Sequence, residues 1–87
     1  MSTAGAAPGL VVYSRPGCHL CDEAMTQLRG LRGELGFTLT EVDITTDDAL
    51  HARYLERIPV LVLDGEEIAD FFVDEADLRR RVGVPAR

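Results

Sequence analysis

A chain of 87 residues has room for one hydrophobic core and little more, because a domain this small hides only about 60 to 65% of the surface its unfolded form exposes. With 46% hydrophobic and 28% charged residues, and no apolar run near the ~20 residues that cross a bilayer, no membrane span is expected. Fifteen acidic against nine basic residues leave a net charge of −6, which opposes attraction to nucleic-acid phosphates and anionic lipid, so neither is expected as a partner.

All nine basic residues are arginine, and nothing functional follows from that. The opening MSTAGAAPG has no basic residue and no apolar stretch of the length of a secretory signal, and residues 1–9 read as a flexible tail. The expected compartment is the cytoplasm, where a reducing thiol pool makes permanent structural disulfides uncommon. The two cysteines of the chain, Cys18 and Cys21, are therefore weighted toward catalysis or metal binding.

Residues 10–13 form a short β-rich run that Ser14, Arg15, Pro16 and Gly17 break, as a buried strand entering a tight loop does. Leu20, Ala24, Leu28, Leu31 and Leu35 then recur at intervals of three and four and lay one apolar stripe along a helix. Asp22 and Glu23 suit its first turn, Arg29 and Arg32 its end, and Gly36 its cap. Phe37 and Leu39 alternate with threonines, and Val42 and Ile44 alternate out of phase with them, which predicts a second strand with an irregularity near Thr40 and Glu41. Thr45 and Asp48 resemble a capping signal for a short second helix with Leu50 and Tyr54 on its buried side, and Pro59 stops it. Residues 60–63 are apolar throughout, as in a central strand, and Asp64-Gly65 predicts a hairpin into residues 66–69. Asp74 can cap a last helix with Leu78 and Val82 facing inward, Arg79, Arg80 and Arg81 in its final turn and Gly83 as its stop. The order β-α-β-α-β-β-α, with a right-handed crossover in the first unit, predicts an α/β fold with a four-stranded mixed sheet flanked by helices. It occupies residues 10–83, with a short tail at 84–87.

In SRPGCHLCDEA the cysteine pair falls at the junction of the first strand and helix. A thiol in the first turn of a helix meets unpaired backbone N–H groups and the positive end of the helix dipole, both of which favour thiolate. Cys18 is thus the expected nucleophile, with a pKa below that of a free cysteine. Cys21, about one turn on and more enclosed, is the expected resolving thiol. Arg15 adds positive charge, and a protonated His19 favours the thiolate further, while Asp22 and Glu23 push the other way. The blander alternative makes both cysteines small buried hydrophobes.

VVYSRPGCHLC resembles the first strand and active-site loop of the glutaredoxin-like branch of the thioredoxin superfamily, and RIPVLVLDGEEI is similar to its later proline, strand and hairpin. No tryptophan precedes Cys18, unlike thioredoxin proper. The likeness spans residues 10–82 and implies a thioredoxin fold and a thiol–disulfide oxidoreductase, glutaredoxin-like, acting on protein or small-molecule disulfides. It also implies a cis Ile58–Pro59 bond lying against the cysteines, with the Ile58 backbone binding substrate. The chain departs from the family at IADFFVDEADL, where Ala69 and Asp70 replace a Gly-Gly and Phe71, Phe72 and Val73 add bulk, which puts a close approach by glutathione in doubt. Asp70 would also repel a carboxylate. Arg57 replaces a common threonine, as an anion-binding residue or a solvated helix-end arginine, and Phe71 and Phe72 are expected in the core more than over the groove.

Candidate substrate-binding residues are therefore Arg15, His19, Arg57, Ile58 and Pro59, with no metal ligand assigned. The expected protein is a monomer without a permanent cofactor. Its partners would be a disulfide-bearing protein or low-molecular-weight thiol, with glutathione, mycothiol, another thiol or a thioredoxin-type reductase restoring the dithiol. Rival readings are a metal or iron–sulfur carrier using Cys18 and Cys21, for which one chain offers too few good ligands, and a binding module that has lost turnover.

Overall fold

The computed structural model describes residues 7–82. Strand β1 (Gly9–Ser14) starts one residue before the apolar run and ends one after it. It leads through a Pro-Gly turn into α1 (His19–Leu35), which ends at Gly36. Gly36 has φ 80°, a left-handed conformation that side chains resist, and its N–H donates to the Arg32 carbonyl at 2.9 Å. Strand β2 (Thr38–Asp43), a 3₁₀ turn (Ile44–Thr46), α2 (Asp48–Tyr54), β3 (Val60–Leu63), β4 (Glu66–Asp70) and α3 (Glu75–Val82) follow. The sheet order is β2-β1-β3-β4, with β1 and β2 parallel and the other pairs antiparallel. This is the α/β fold with a four-stranded mixed sheet that the element order predicts.

Strand alternation divides the core in two, because successive side chains point to opposite faces. Leu10, Val12, Leu61 and Leu63 join Met25, Leu28, Leu31, Phe37 and Leu78 in one buried cluster. Val60 joins Ile44, Tyr54, Ile58 and Cys21 in the other, with Tyr13, Leu50 and Val62 packed against them. The first cluster seats α1 and α3. The second seats α2 and reaches the cysteine pair.

Three details differ from expectation. The β1–β2 register runs unbroken from Gly9 opposite Thr38 to Ser14 opposite Asp43, so no irregularity lies at Thr40 and Glu41. The change of phase arises because Phe37 precedes the strand and Ile44 lies in the 3₁₀ turn beyond it, where each is free to turn inward. The register shift lies instead between Leu61 and Val62, which leaves Ile68 of β4 without an opposite residue. The cap of α2 is Asp47, whose Oδ1 accepts from the N–H groups of Ala49 and Leu50, whereas Thr45 belongs to the 3₁₀ turn, which Asp43 caps. At α3 the Asp74 carboxylate accepts from the Asp77 N–H at 3.0 Å as expected. Of the tail expected over 1–9, Gly9 belongs to β1 and the Pro8 carbonyl accepts the Thr38 N–H at 2.8 Å, while residues 1–6, the proposed stop at Gly83 and the tail at 84–87 lie outside the described residues.

Candidate active site

The loop Arg15-Pro16-Gly17 turns the chain at the end of β1, with Gly17 at φ 79°, and delivers Cys18 to the N-cap of α1. Cys18 keeps extended backbone angles, φ −92° and ψ 107°, while its carbonyl already accepts from the Asp22 N–H at 3.0 Å. Its Sγ stands where an N-cap oxygen normally does and accepts the Cys21 N–H at 3.2 Å. Cys18 and Cys21 are joined by a disulfide, with Cα atoms 5.2 Å apart. The two sulfurs differ in access: Cys21 is 1% exposed, whereas Cys18 is half-buried at the surface.

Beneath them lies the loop before β3. The Ile58–Pro59 bond is cis, as the family resemblance implies, and both residues are buried. Ile58 belongs to the apolar cluster that contains Cys21 and against which Cys18 packs. The structure thus brings Cys18, Cys21 and Ile58 together, with Pro59 next to Ile58 in the chain. The Pro59 carbonyl accepts the Phe71 N–H at 2.9 Å, tying this loop to the end of β4.

The charged candidates are arranged differently. Arg15 is exposed on the loop, and its guanidinium donates to the Pro16 carbonyl at 3.4 Å. His19 is exposed at the first position of α1, with Nε2 2.8 Å from Glu23 Oε2. Arg57 lies beyond the end of α2, pairs with Glu67 and Asp70, and stands 5.9 Å from the Tyr54 ring centre. Asp70, whose charge was expected to stand open against a carboxylate ligand, is thereby partnered.

Two aromatic pairs beside the site were not among the candidate site residues. Tyr13 and Tyr54 stack with ring centres 4.7 Å apart, joining β1 to α2 within the cluster that holds the cysteines. Phe71 and Phe72, expected mainly in the core, are 40% and 69% exposed. The reason is local: Phe71 adopts φ 66°, and the reversal there leaves both rings at the surface before Val73 leads into α3. A consecutive aromatic pair directly after a strand and before a capping Asp was the available signal. Ser14, the one buried polar residue among the described residues, donates to Glu41 Oε2 at 2.8 Å and so anchors the base of the active-site loop to β2.

A mixed four-stranded sheet whose first strand delivers Cys-x-x-Cys to a helix N-terminus, opposite a cis-proline, defines a glutaredoxin-like protein of the thioredoxin superfamily. Solved thioredoxins share the fold: that of Halobacterium salinarum, 22% identical, superposes with a TM-score of 0.66 over 98% of this chain and 81% of its own. The family model described as glutaredoxin-like domain (DUF836) matches residues 9–83, and the chain belongs to that family. Protein Ne2328 of Nitrosomonas europaea, 32% identical, superposes with a TM-score of 0.80, covering 93% of this chain and 98% of its own. XcR50 of X. campestris, 35% identical, gives a TM-score of 0.70 over 88% and 99%. An uncharacterized protein of Mycobacterium tuberculosis is 36% identical over 77 residues, which are 83% of this chain and 79% of the relative.

Proposed function

We propose that this protein is a thiol–disulfide oxidoreductase that reduces protein or small-molecule disulfides through Cys18 and Cys21. In the reduced form the Cys18 thiolate attacks one sulfur of the substrate disulfide, forming a mixed disulfide and releasing the other sulfur as a thiolate, which takes up a proton. The Cys21 thiol, losing its proton, then attacks Cys18 Sγ. The mixed disulfide breaks, the second substrate sulfur leaves as thiol, and the Cys18–Cys21 disulfide remains. Two electrons have passed from the protein to the substrate. A low-molecular-weight thiol such as glutathione or mycothiol, or a thioredoxin-type reductase, returns them, and a reducing compartment such as the cytoplasm suits that cycle.

The observation that carries this reading is the asymmetry of the pair. Cys18 is half-buried and its Sγ accepts a backbone N–H at a helix N-terminus, while Cys21 is sealed behind it. The Ile58 backbone beside them is the contact for a substrate segment that the family resemblance implies.

The test is turnover with defined disulfides. Cys18→Ser is expected to abolish reduction. Cys21→Ser is expected to accumulate a mixed disulfide on Cys18, visible by mass spectrometry. Offering the oxidised protein glutathione, mycothiol and a thioredoxin reductase in parallel identifies the electron source. Full activity in Cys18→Ser, or stoichiometric metal on anaerobically purified protein whose disulfide never exchanges with thiols, would refute the oxidoreductase reading.

A further inference from the structure

Glu67 and Asp70 of the edge strand β4 both reach Arg57, and a regular strand would not let them. They are three residues apart, a spacing that places side chains on opposite faces, because direction alternates at each residue. Residues opposite one another in an antiparallel pair share a face, and here Glu67 lies opposite Val62 and Asp70 opposite Val60. The register shift between Leu61 and Val62 takes up the odd residue, Ile68. Both carboxylates therefore stand on the face of Val60 and Val62, which pack with Tyr54 and Leu50 of α2, while the consecutive Ile68 and Ala69 both pack on the other core cluster. A bulge of this kind is a means of re-aiming side chains next to an active site.

What the bulge aims at is the residue before Ile58. Arg57 Nε donates to Asp70 Oδ2 at 3.2 Å, a terminal nitrogen of the same guanidinium pairs with Glu67, and the Arg57 N–H donates to the Tyr54 carbonyl at 2.8 Å. Tyr54 is itself stacked on Tyr13 of β1. On the other side of Ile58, the Pro59 carbonyl accepts the Phe71 N–H at 2.9 Å. The main chain is thus tied down on both sides of Ile58, to α2 and to β4. With two carboxylates on one guanidinium, Arg57 has no uncompensated charge to offer an anionic ligand. We propose that Arg57 is a positioning residue: clamped by Glu67 and Asp70 across the bulge, it holds the Ile58 backbone where a substrate segment meets Cys18. This rests on the oxidoreductase reading and on Ile58 as the substrate contact; the clamp itself can be measured without turnover.

The test compares two disulfides, a neutral disulfide-linked peptide and hydroxyethyl disulfide, which has no peptide backbone to dock. Arg57→Met is expected to raise KM for the peptide roughly ten-fold, as the loss of about one hydrogen bond requires. The peptide kcat should change little, because a main-chain contact holds the substrate equally before and during attack. KM for hydroxyethyl disulfide should rise much less. Glu67→Gln combined with Asp70→Asn should reproduce the peptide effect, and adding both to Arg57→Met should raise KM no further, as members of one network behave. In the oxidised, ¹⁵N-labelled protein each of these variants should shift the Ile58 amide. An unchanged peptide KM in Arg57→Met, additive rises in the triple variant, or an equal rise for hydroxyethyl disulfide would overturn the proposal. So would a lower KM of the Glu67→Gln, Asp70→Asn variant for the same peptide carrying aspartates, since Arg57 would then be binding anions directly. Where Arg57→Met does not fold, the carboxylate double variant decides by the same KM comparison. A shifted Ile58 amide in these variants, with a parent that reduces no disulfide, would uphold the clamp and refute the oxidoreductase reading.

Discussion

Cys18 and Cys21 are chemically identical and three residues apart, and the fold makes them unequal. Cys18 terminates the helix, so its sulfur receives an N–H and the field of α1. Cys21 lies inside the helix and is packed against Ile44, Tyr54, Ile58 and Val60. In the reduced protein, iodoacetamide is therefore expected to alkylate Cys18 well before Cys21, with a pH midpoint below the roughly 8.5 of a free thiol. Peptide mapping after brief labelling checks the order; equal labelling would show that the helix terminus confers no advantage. Sequence alone was enough to nominate the pair, because Cys-x-x-Cys between a strand and a helix stripe has few other uses. The exposure of Phe71 was not legible there, because it depends on a single backbone angle in a turn whose geometry is set by the Pro59 carbonyl across the sheet.

At the scale of elements, each helix start is capped by a side chain with an acceptor atom: Cys18 for α1, Asp47 for α2 and Asp74 for α3. The end of α1 uses Gly36 instead. An added Cβ there would meet nothing within 4 Å, so any loss on substitution comes from the backbone and not from a clash. Gly36→Ala should accordingly cost about 1–2 kcal/mol, the penalty for holding a side-chain-bearing residue in the left-handed region. Urea unfolding measures it, and an unchanged midpoint would contradict the cap assignment. The helix stripe, Gly36, residues 60–63 and the Asp64-Gly65 hairpin were all legible because each is written in local spacing or local turn chemistry. The break in β2 was misread because alternation alone does not reveal where a strand stops. Phe37 and Ile44 flank it and point inward through turns.

Across the whole molecule, α3 is held by charge as well as by Leu78. Arg79 bridges Glu34 of α1 and Glu75, and Arg81 bridges Asp77 and Glu66 of β4, so helix, helix and strand are linked at the surface. The hydrogen bond from Arg79 holds the Glu34 carboxyl below its ordinary value of 4.5, and that from Arg81 holds Asp77 below 3.8. Both arginines are pushed upward in return, with hydrogen bonds to Glu34 and Asp77 the leading causes. Carboxyl groups depressed in the folded state bind fewer protons than in the unfolded one. Their contribution is therefore complete above the ordinary values and drains as pH falls through the depressed ones. Urea midpoints are expected to fall between pH 5 and pH 3, with Glu34→Gln flattening part of the slope. Added salt should shrink the effect, because these groups face solvent. A slope identical in Glu34→Gln and the parent would remove Glu34 from the network.

By itself, the sequence determined the order of elements, the mixed sheet, the turn residues and the reactive pair, since these follow from periodicity and chemistry within a few residues. Tertiary structure alone decided that Arg57 is bound by Glu67 and Asp70, and that two phenylalanines stay outside the core. Those outcomes depend on contacts between residues far apart in the chain, such as Pro59 with Phe71 and Arg57 with Asp70, which local patterns do not encode.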